Sequence, residues 1–185
     1  MNEQYYEYLK RRSCLGLWYR RYWLYPRLCN HLEGRTLDVG CGIGDFMNHR
    51  PGTVGVDINP STVECCRRQG LDANLMLPDQ LPFHDGAFDS VVLDNVMEHL
   101  SAPEPLLREI HRILRPRGIL VVGVPGKRGY ASDPDHKVYY DAASLVSTVA
   151  TARFGLRRLF HMPFQLEWLN TRMRQYCVYG AFERG

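Results

Sequence analysis

Thr36-Leu37-Asp38-Val39-Gly40-Cys41-Gly42-Ile43-Gly44-Asp45-Phe46 (residues 36–46) is the stretch on which the fold turns. A short apolar run leads directly into three glycines at alternate positions. Glycine lets the backbone turn sharply and lets a ligand approach with no Cβ in the way. A helix is expected to start near Gly44 and to present its free N–H groups to that ligand. Thirteen residues further on, a second run, Thr53-Val54-Gly55-Val56, ends in Asp57. A carboxylate at the tip of a second strand is placed to accept hydrogen bonds from ribose hydroxyls.

Three readings compete for this pair of motifs. The first is a Gly-rich strand-to-helix turn with no ligand; the agreement of strand, glycines and second-strand acid speaks against it. The second is a dinucleotide site, which wants GxGxxG where this chain has GxGxG. Asp38, two residues before the first glycine, is also awkward beside a pyrophosphate because like charges repel. The third is an adenosine ligand whose ribose meets Asp57 and whose cationic amino-acid portion lies near Asp38. S-adenosylmethionine is such a ligand, and charge and spacing favour it.

Outward from this turn, short β-branched runs alternate with amphipathic stretches, which reads as βαβ units around a mostly parallel sheet. Strands are expected at 35–39, 53–57, 72–77, 88–94 and 118–124, the fourth and fifth apolar enough to be covered on both faces. A helix is expected over 103–114. Ser101 and Glu104 have capping-box spacing, Pro103 suits the first turn, and Leu106, Leu107, Ile110, Ile113 and Leu114 form one stripe. Arg115-Pro116-Arg117-Gly118 should stop it. A Gly-, Pro- and Asp-rich loop is expected at 125–137, then a helix from about Asp141 and strands near 153–162 and 174–184.

The sequence also resembles the class I S-adenosylmethionine-dependent methyltransferases, in particular the group that contains small-molecule methyltransferases. The resemblance covers about residues 34–125. It rests on L-D-V-G-C-G-I-G at 37–44, V-G-V-D-I at 54–58, L-P-F-H-D-G-A-F-D-S-V-V at 81–92, V-M-E-H-L at 96–100 and L-R-E-I-H-R-I-L-R-P-R-G-I-L-V-V at 107–122. It implies a Rossmann-like α/β fold, a seven-stranded sheet of order 3-2-1-4-5-7-6 with the last strand antiparallel and helices on both faces. It further implies that Asp38, Gly40, Cys41, Gly42 and Gly44 surround the methionine part of the cofactor. Asp57 would hold the ribose and Ile58 would pack on the adenine. Family members often carry an Asp and a small residue where this chain has Leu77 and Pro78. Neither can serve the adenine edge through its side chain or N–H, so Asp79, Gln80 or backbone carbonyls would have to substitute.

In open α/β sheets the site lies beyond the carboxyl ends of the strands. Asp94 and Asn95 end the fourth strand and should face that crevice beside the cofactor; Glu98 and His99 follow. The 125–137 loop leaves the fifth strand at the same edge and carries Asp133, Asp135 and His136. His99 and His136 are the candidate general bases, since imidazole titrates near neutral pH. Asp94 could act as a base or position the cofactor or a loop. Glu98 reads equally well as a solvent-facing residue. The remaining histidines show no paired metal spacing, so no metal is expected. The Cys65-Cys66 pair reads as packing, and Cys41, inside the Gly turn with its backbone toward the cofactor, is not expected to act as a nucleophile.

The chain has 185 residues, 45% of them hydrophobic and 23% charged, a composition that excludes a largely disordered, collagen-like or coiled-coil protein. No apolar run reaches the roughly 20 residues that span a bilayer. Six scattered cysteines without a CxxC pair suggest a reducing, cytoplasmic setting. The net charge of +3 is concentrated at the front: residues 1–33 hold six Lys/Arg against three acids, and the rest is balanced at 17 each. That front segment is read as a helical cap ahead of the cofactor domain at 34–185, within one domain overall. It interleaves arginines with Tyr5, Tyr6, Tyr8, Trp18, Tyr19, Tyr22, Trp23 and Tyr25. A roof over the acceptor pocket is favoured, peripheral membrane contact through residues 5–25 stays open, and nucleic acid is the weakest reading.

The function these features imply is methyl transfer from S-adenosylmethionine to a hydroxyl, or an amine, of a small-molecule, sugar or lipid-linked acceptor. Two other classes are kept: a non-catalytic S-adenosylmethionine-binding partner subunit, and a nicotinamide-dependent oxidoreductase.

Overall fold

A computed structural model of the chain describes residues 13–185. The expected aromatic positions Tyr5, Tyr6 and Tyr8 lie outside the described residues. The first helical segment runs as α1 (Cys14–Tyr19), a π-helical turn at Arg20–Leu24, and α2 (Tyr25–Cys29). Seven strands follow: β1 (Thr36–Val39), β2 (Val54–Asp57), β3 (Ala73–Leu75), β4 (Phe88–Asp94), β5 (Leu114–Pro125), β6 (Phe154–Met162) and β7 (Cys177–Arg184). Between them lie α3 (Asp45–His49), α4 (Pro60–Arg68), α5 (Glu104–Ile113), α6 (Lys127–Tyr130) and α7 (Ala142–Ala150).

The strands form one sheet of order β3-β2-β1-β4-β5-β7-β6. All neighbours pair in parallel except β7, which runs antiparallel to both β5 and β6. The order and the reversed strand are those the resemblance implied.

The alternation of side chains along each strand explains the layers. Val91 and Leu93 of β4, Leu120, Val122 and Val124 of β5, and Phe182 of β7 point to one face. There they pack against the α5 stripe of Leu106, Leu107, Ile110 and Ile113 and against Leu145 and Val149 of α7. The residues between them, Val92, Ile119, Val121, Tyr179 and Ala181, point to the other face and meet Leu24, Tyr25, Leu28 and Leu32. The front helix is therefore one of the covering layers of the sheet. Its outer side leaves Leu15, Trp18 and Tyr22 exposed. No helix among the described residues is long and apolar enough to cross a membrane.

Four local expectations are corrected. The Ser101 capping box does not form: Pro103 occupies the cap position without a side-chain bond and α5 begins at Glu104. The cap is thus two residues beyond Ser101, out of reach of the first free N–H groups. A capping box does form at α7, between Asp141 and Ser144. Leu114 does not close the helix stripe but opens β5, pairing with Phe88; the Arg-Pro-Arg-Gly sequence continues as strand, with Arg117 at φ +63° taking up the irregularity. The 125–137 loop contains the short helix α6, whose first N–H, that of Lys127, is accepted by Asn170 Oδ1 at 2.6 Å.

Candidate active site

The sheet order reverses between β1 and β4: β1 leads outward to β2 and β3, β4 to β5 and beyond. A crevice opens outside the carboxyl ends of strands at such a switch point, because the helices leaving the two strands cross to opposite faces. The segments after β1, β2 and β4 meet there.

Gly40, Gly42 and Gly44 have φ of +76°, +54° and +86°, a region that side chains with a Cβ avoid. At Gly40 the conformation is not the only constraint: a Cβ there would stand 2.6 Å from Val96 Cγ2. The turn is tied down by its own backbone. Gly40 and Cys41 donate to the carbonyl of Val56 at 2.8 and 3.0 Å, and Gly42 N–H donates to Asp57 Oδ2 at 2.9 Å.

Three carboxylates converge on this turn, each in a different state. Asp57 is buried, with its other oxygen, Oδ1, accepting from Asn59 N–H at 2.8 Å. It therefore fastens the glycine turn to the start of α4, a role that the sequence did not reveal, and Thr62 and the Ile58 N–H donate to it as well. Asp94 is held on three sides. Its Oδ1 accepts from Tyr179 O–H at 2.7 Å and from Asn95 Nδ2 at 2.9 Å, and Arg20 lies 3.7 Å from Oδ2. Asn95 follows at φ +55°, its N–H on the carbonyl of Gly123 at 2.9 Å. Asp38 is buried beside Asp94 and Asp57. Burial, then Asp94 and Asp57, push its carboxyl well above the usual carboxylate range.

Beside Asp57 the carboxyl edge is apolar and bare. Ile58 is 59% and Leu77 61% exposed, and Leu75, the pairing partner of Asp57, is exposed as well. Asp79 and Gln80 are also exposed, with Gln80 N–H on the carbonyl of Leu77 at 3.2 Å. Ile58 thus presents an exposed apolar side chain next to the Asp57 carboxylate.

Across the crevice the sequence reading needs correction. Glu98 is not solvent-facing: it is 1% exposed, and neither carboxylate oxygen has a hydrogen-bond partner. Burial pushes it up to about 8. It sits in the 3-10 turn Met97–His99, and its carbonyl accepts from Lys137 and Val138 N–H at 2.7 and 3.1 Å. That pairing brings the loop home and sets His136 against His99, ring centroids 4.7 Å apart. His136 Nδ1 lies 2.9 Å from the carbonyl of Tyr130, and His99 Nδ1 3.3 Å from that of Asp135. A carbonyl only accepts, so each Nδ1 carries the proton and each Nε2 keeps its lone pair. Burial, then His136, lowers the pKa of His99.

Cys41 is buried in a small cluster with Met47, Val63 and Cys66, and its hydrogen bond with the Cys66 thiol, then burial, push its pKa up. At the far side of the same edge, a cleft of about 540 Å³ opens between the front helix and the end of β6, bordered by Trp23, Arg27, His31, Phe160 and Phe164.

Residues 37–122 match the family described as a methyltransferase domain. A probable S-adenosylmethionine-dependent methyltransferase of Mycolicibacterium smegmatis is 30% identical over 154 residues, which cover 74% of this chain and 59% of that protein. Among solved structures, an S-adenosylmethionine-dependent methyltransferase of Thermotoga maritima, described as a possible histamine N-methyltransferase, superposes over all of both chains with a TM-score of 0.77 at 18% identity. A geranyl diphosphate methyltransferase in complex with S-adenosylmethionine covers 88% of this chain and 84% of its own, with a TM-score of 0.68 at 19% identity. The chain spans between 20% and 59% of the length of the curated relatives named as methyltransferases at either end of that range.

Proposed function

We propose that the chain, whose residues 37–122 match a methyltransferase domain and whose fold is that of a solved S-adenosylmethionine-dependent methyltransferase, is a class I S-adenosylmethionine-dependent methyltransferase that methylates a hydroxyl, or an amine, of a small-molecule, sugar or lipid-linked acceptor. The observation that carries this reading is the state of Asp38. A buried carboxylate crowded by Asp94 and Asp57 is costly unless a cation completes it. The cofactor's amino-acid end offers that cation.

The residues fit the cofactor. Asp38 with Gly40, Cys41, Gly42 and Gly44 would hold its methionine portion, Asp57 its ribose, Ile58 its adenine, and Asp94 with Asn95 the side nearest the acceptor. When bound, the cofactor supplies a methyl group on a positively charged sulfur. The chain's task is then to align an acceptor and manage its proton. His99 and His136 are the proposed proton acceptors through their Nε2 lone pairs. Asp94, already engaged by Tyr179, Asn95 and Arg20, is better suited to positioning than to taking a proton. Arg20 extends the front helix to the edge of the crevice, which supports that helix as the acceptor's roof.

Calorimetry tests the reading. S-adenosylhomocysteine is expected to bind more tightly than NAD. Asp57→Asn keeps size and an acceptor oxygen but drops the charge; with charge-assisted hydrogen bonds worth about 1.5–3 kcal/mol each, affinity should fall at least tenfold. Tighter NAD binding would move the chain to the oxidoreductases. Binding of S-adenosylhomocysteine with no methyl transfer to any acceptor panel would favour a partner subunit.

A further inference from the structure

Glu98, His99 and His136 offer one ligand atom each, a carboxylate oxygen and two ring nitrogens, and these atoms lie within 4.8 Å of one another. Chain distance hides the set, since the two histidines stand 37 positions apart. The N–H groups of Lys137 and Val138 on the Glu98 carbonyl bring it together.

We propose that Glu98, His99 and His136 form a binding site for a divalent transition-metal ion. Three independent features carry this. The first is Glu98 itself: both oxygens are buried and unpartnered, and one faces His136 Nε2 at 3.8 Å. That separation is too long for a hydrogen bond. Buried polar atoms without a partner are rare, and an unfilled ion site is one of the few explanations for them. The second is the orientation of the imidazoles. Each donates Nδ1–H to a backbone carbonyl, from Asp135 and from Tyr130, and so turns an unprotonated Nε2 to the cluster. Ligating histidines are almost always fixed through their other nitrogen in this way. The third is the fourth neighbour, Asp133 Oδ2, 3.9 Å from His136 Nε2 on the open side, where a further ligand or a water would stand.

Two imidazoles and a carboxylate select the borderline ions, Zn²⁺, Co²⁺, Mn²⁺ or Fe²⁺, over Mg²⁺ and Ca²⁺, which prefer all-oxygen shells. Ligand atoms around an ion with bonds of about 2.1 Å stand roughly 3–3.5 Å apart, so the loop carrying His136 draws in by on the order of 1 Å on binding. Three ligands leave positions open. Under the methyl-transfer reading above, on which this use rests, those positions would hold an acceptor oxygen or nitrogen. The ion occupies both Nε2 lone pairs, so the base role given to His99 and His136 belongs to the ion-free protein.

The test uses the full chain, stripped with a chelator and titrated with Co²⁺ while visible absorption is recorded, then with Zn²⁺ in competition. The expected result is one ion per chain, d–d bands of a bound site, and displacement by Zn²⁺. Glu98→Gln and His136→Gln should each weaken Co²⁺ binding at least tenfold, whereas His84→Gln, at an exposed histidine, should leave it unchanged. S-adenosylhomocysteine binding by the same variants reports that they are folded. Absence of stoichiometric uptake by the unaltered chain, an experiment that needs no variant, would overturn the proposal. So would uptake unaltered in folded Glu98→Gln and His136→Gln, or lost in His84→Gln. Uptake of Co²⁺ by a chain that fails to bind S-adenosylhomocysteine would leave the metal site standing and remove the function proposed above.

Discussion

Asp38 ties stability and ligand binding together in opposite senses. Its raised pKa, from burial and then from Asp94, Asp57, Cys66 and Asp45, means that the native state holds a proton which the unfolded chain has already released. Between the ordinary carboxylate pKa and the raised native value, the unfolded state therefore binds fewer protons, and stability falls as pH rises through that window. Asp38→Asn removes this titration. The ligand-free variant should unfold at a higher temperature than the parent at pH 7, by roughly 2–4 °C per kcal/mol of relief, with the gap closing toward pH 4. Its affinity for S-adenosylmethionine should drop at least tenfold. A parent and variant with parallel pH–stability curves would show that Asp38 is not ionised against its surroundings. Residues of this kind were legible in the sequence because strand, glycines and acid are contiguous. Glu98 was not. Whether a lone acid after a strand faces water or a loop is decided by the Lys137–Val138 pairing, which lies almost 40 residues on and leaves no local periodicity.

At the scale of elements, the apolar runs placed all seven strands within a few residues, since a strand covered on both faces has little choice of composition. Ends were less readable because caps compete. Ser101-x-x-Glu104 and Asp141-x-x-Ser144 both offer cap chemistry, but Pro103 takes the cap position of α5 while Asp141 is free to take that of α7. Loss of a working N-cap costs about 1 kcal/mol. Asp141→Ala should accordingly lower stability by that amount in denaturant titrations, and Ser101→Ala should leave the midpoint where it is. Equal losses in the two would restore the Ser101 cap. Where elements touch, Gly123 is the tight point: a Cβ there would stand 2.2 Å from Tyr179 Cε1 and 2.7 Å from Asp94 Oδ1. Gly123→Ala should push the phenol off Asp94 and cost roughly 1–3 kcal/mol. A cofactor affinity that falls alongside stability would show that Asp94 has lost its orientation as well.

For the whole molecule, the resemblance supplied the strand order, which no physical rule derives from these runs alone. The role of the front segment followed from packing. A cap resting on a finished domain and a layer of its core make opposite predictions about unfolding. Leu28 is fully buried, and with Leu24, Tyr25 and Leu32 it covers Val92, Ile119, Val121 and Tyr179 from one side. Without that layer the middle strands would expose one entire apolar face. Leu28→Ala should therefore cost about 2–5 kcal/mol, as for a core leucine. It should lower a single transition and not create a second one. In a Trp18→Phe/Trp168→Phe background the fluorescence of Trp23, whose Nε1–H donates to the carbonyl of Pro163 at 3.0 Å, reports on the front helix, and far-UV circular dichroism reports on the sheet. Coincident curves, shifted together by Leu28→Ala, are expected of one cooperative unit. A Trp23 signal lost well before the sheet melts would make the front helix a detachable cap, and the roof over the acceptor would then be able to open without disturbing the cofactor's turn.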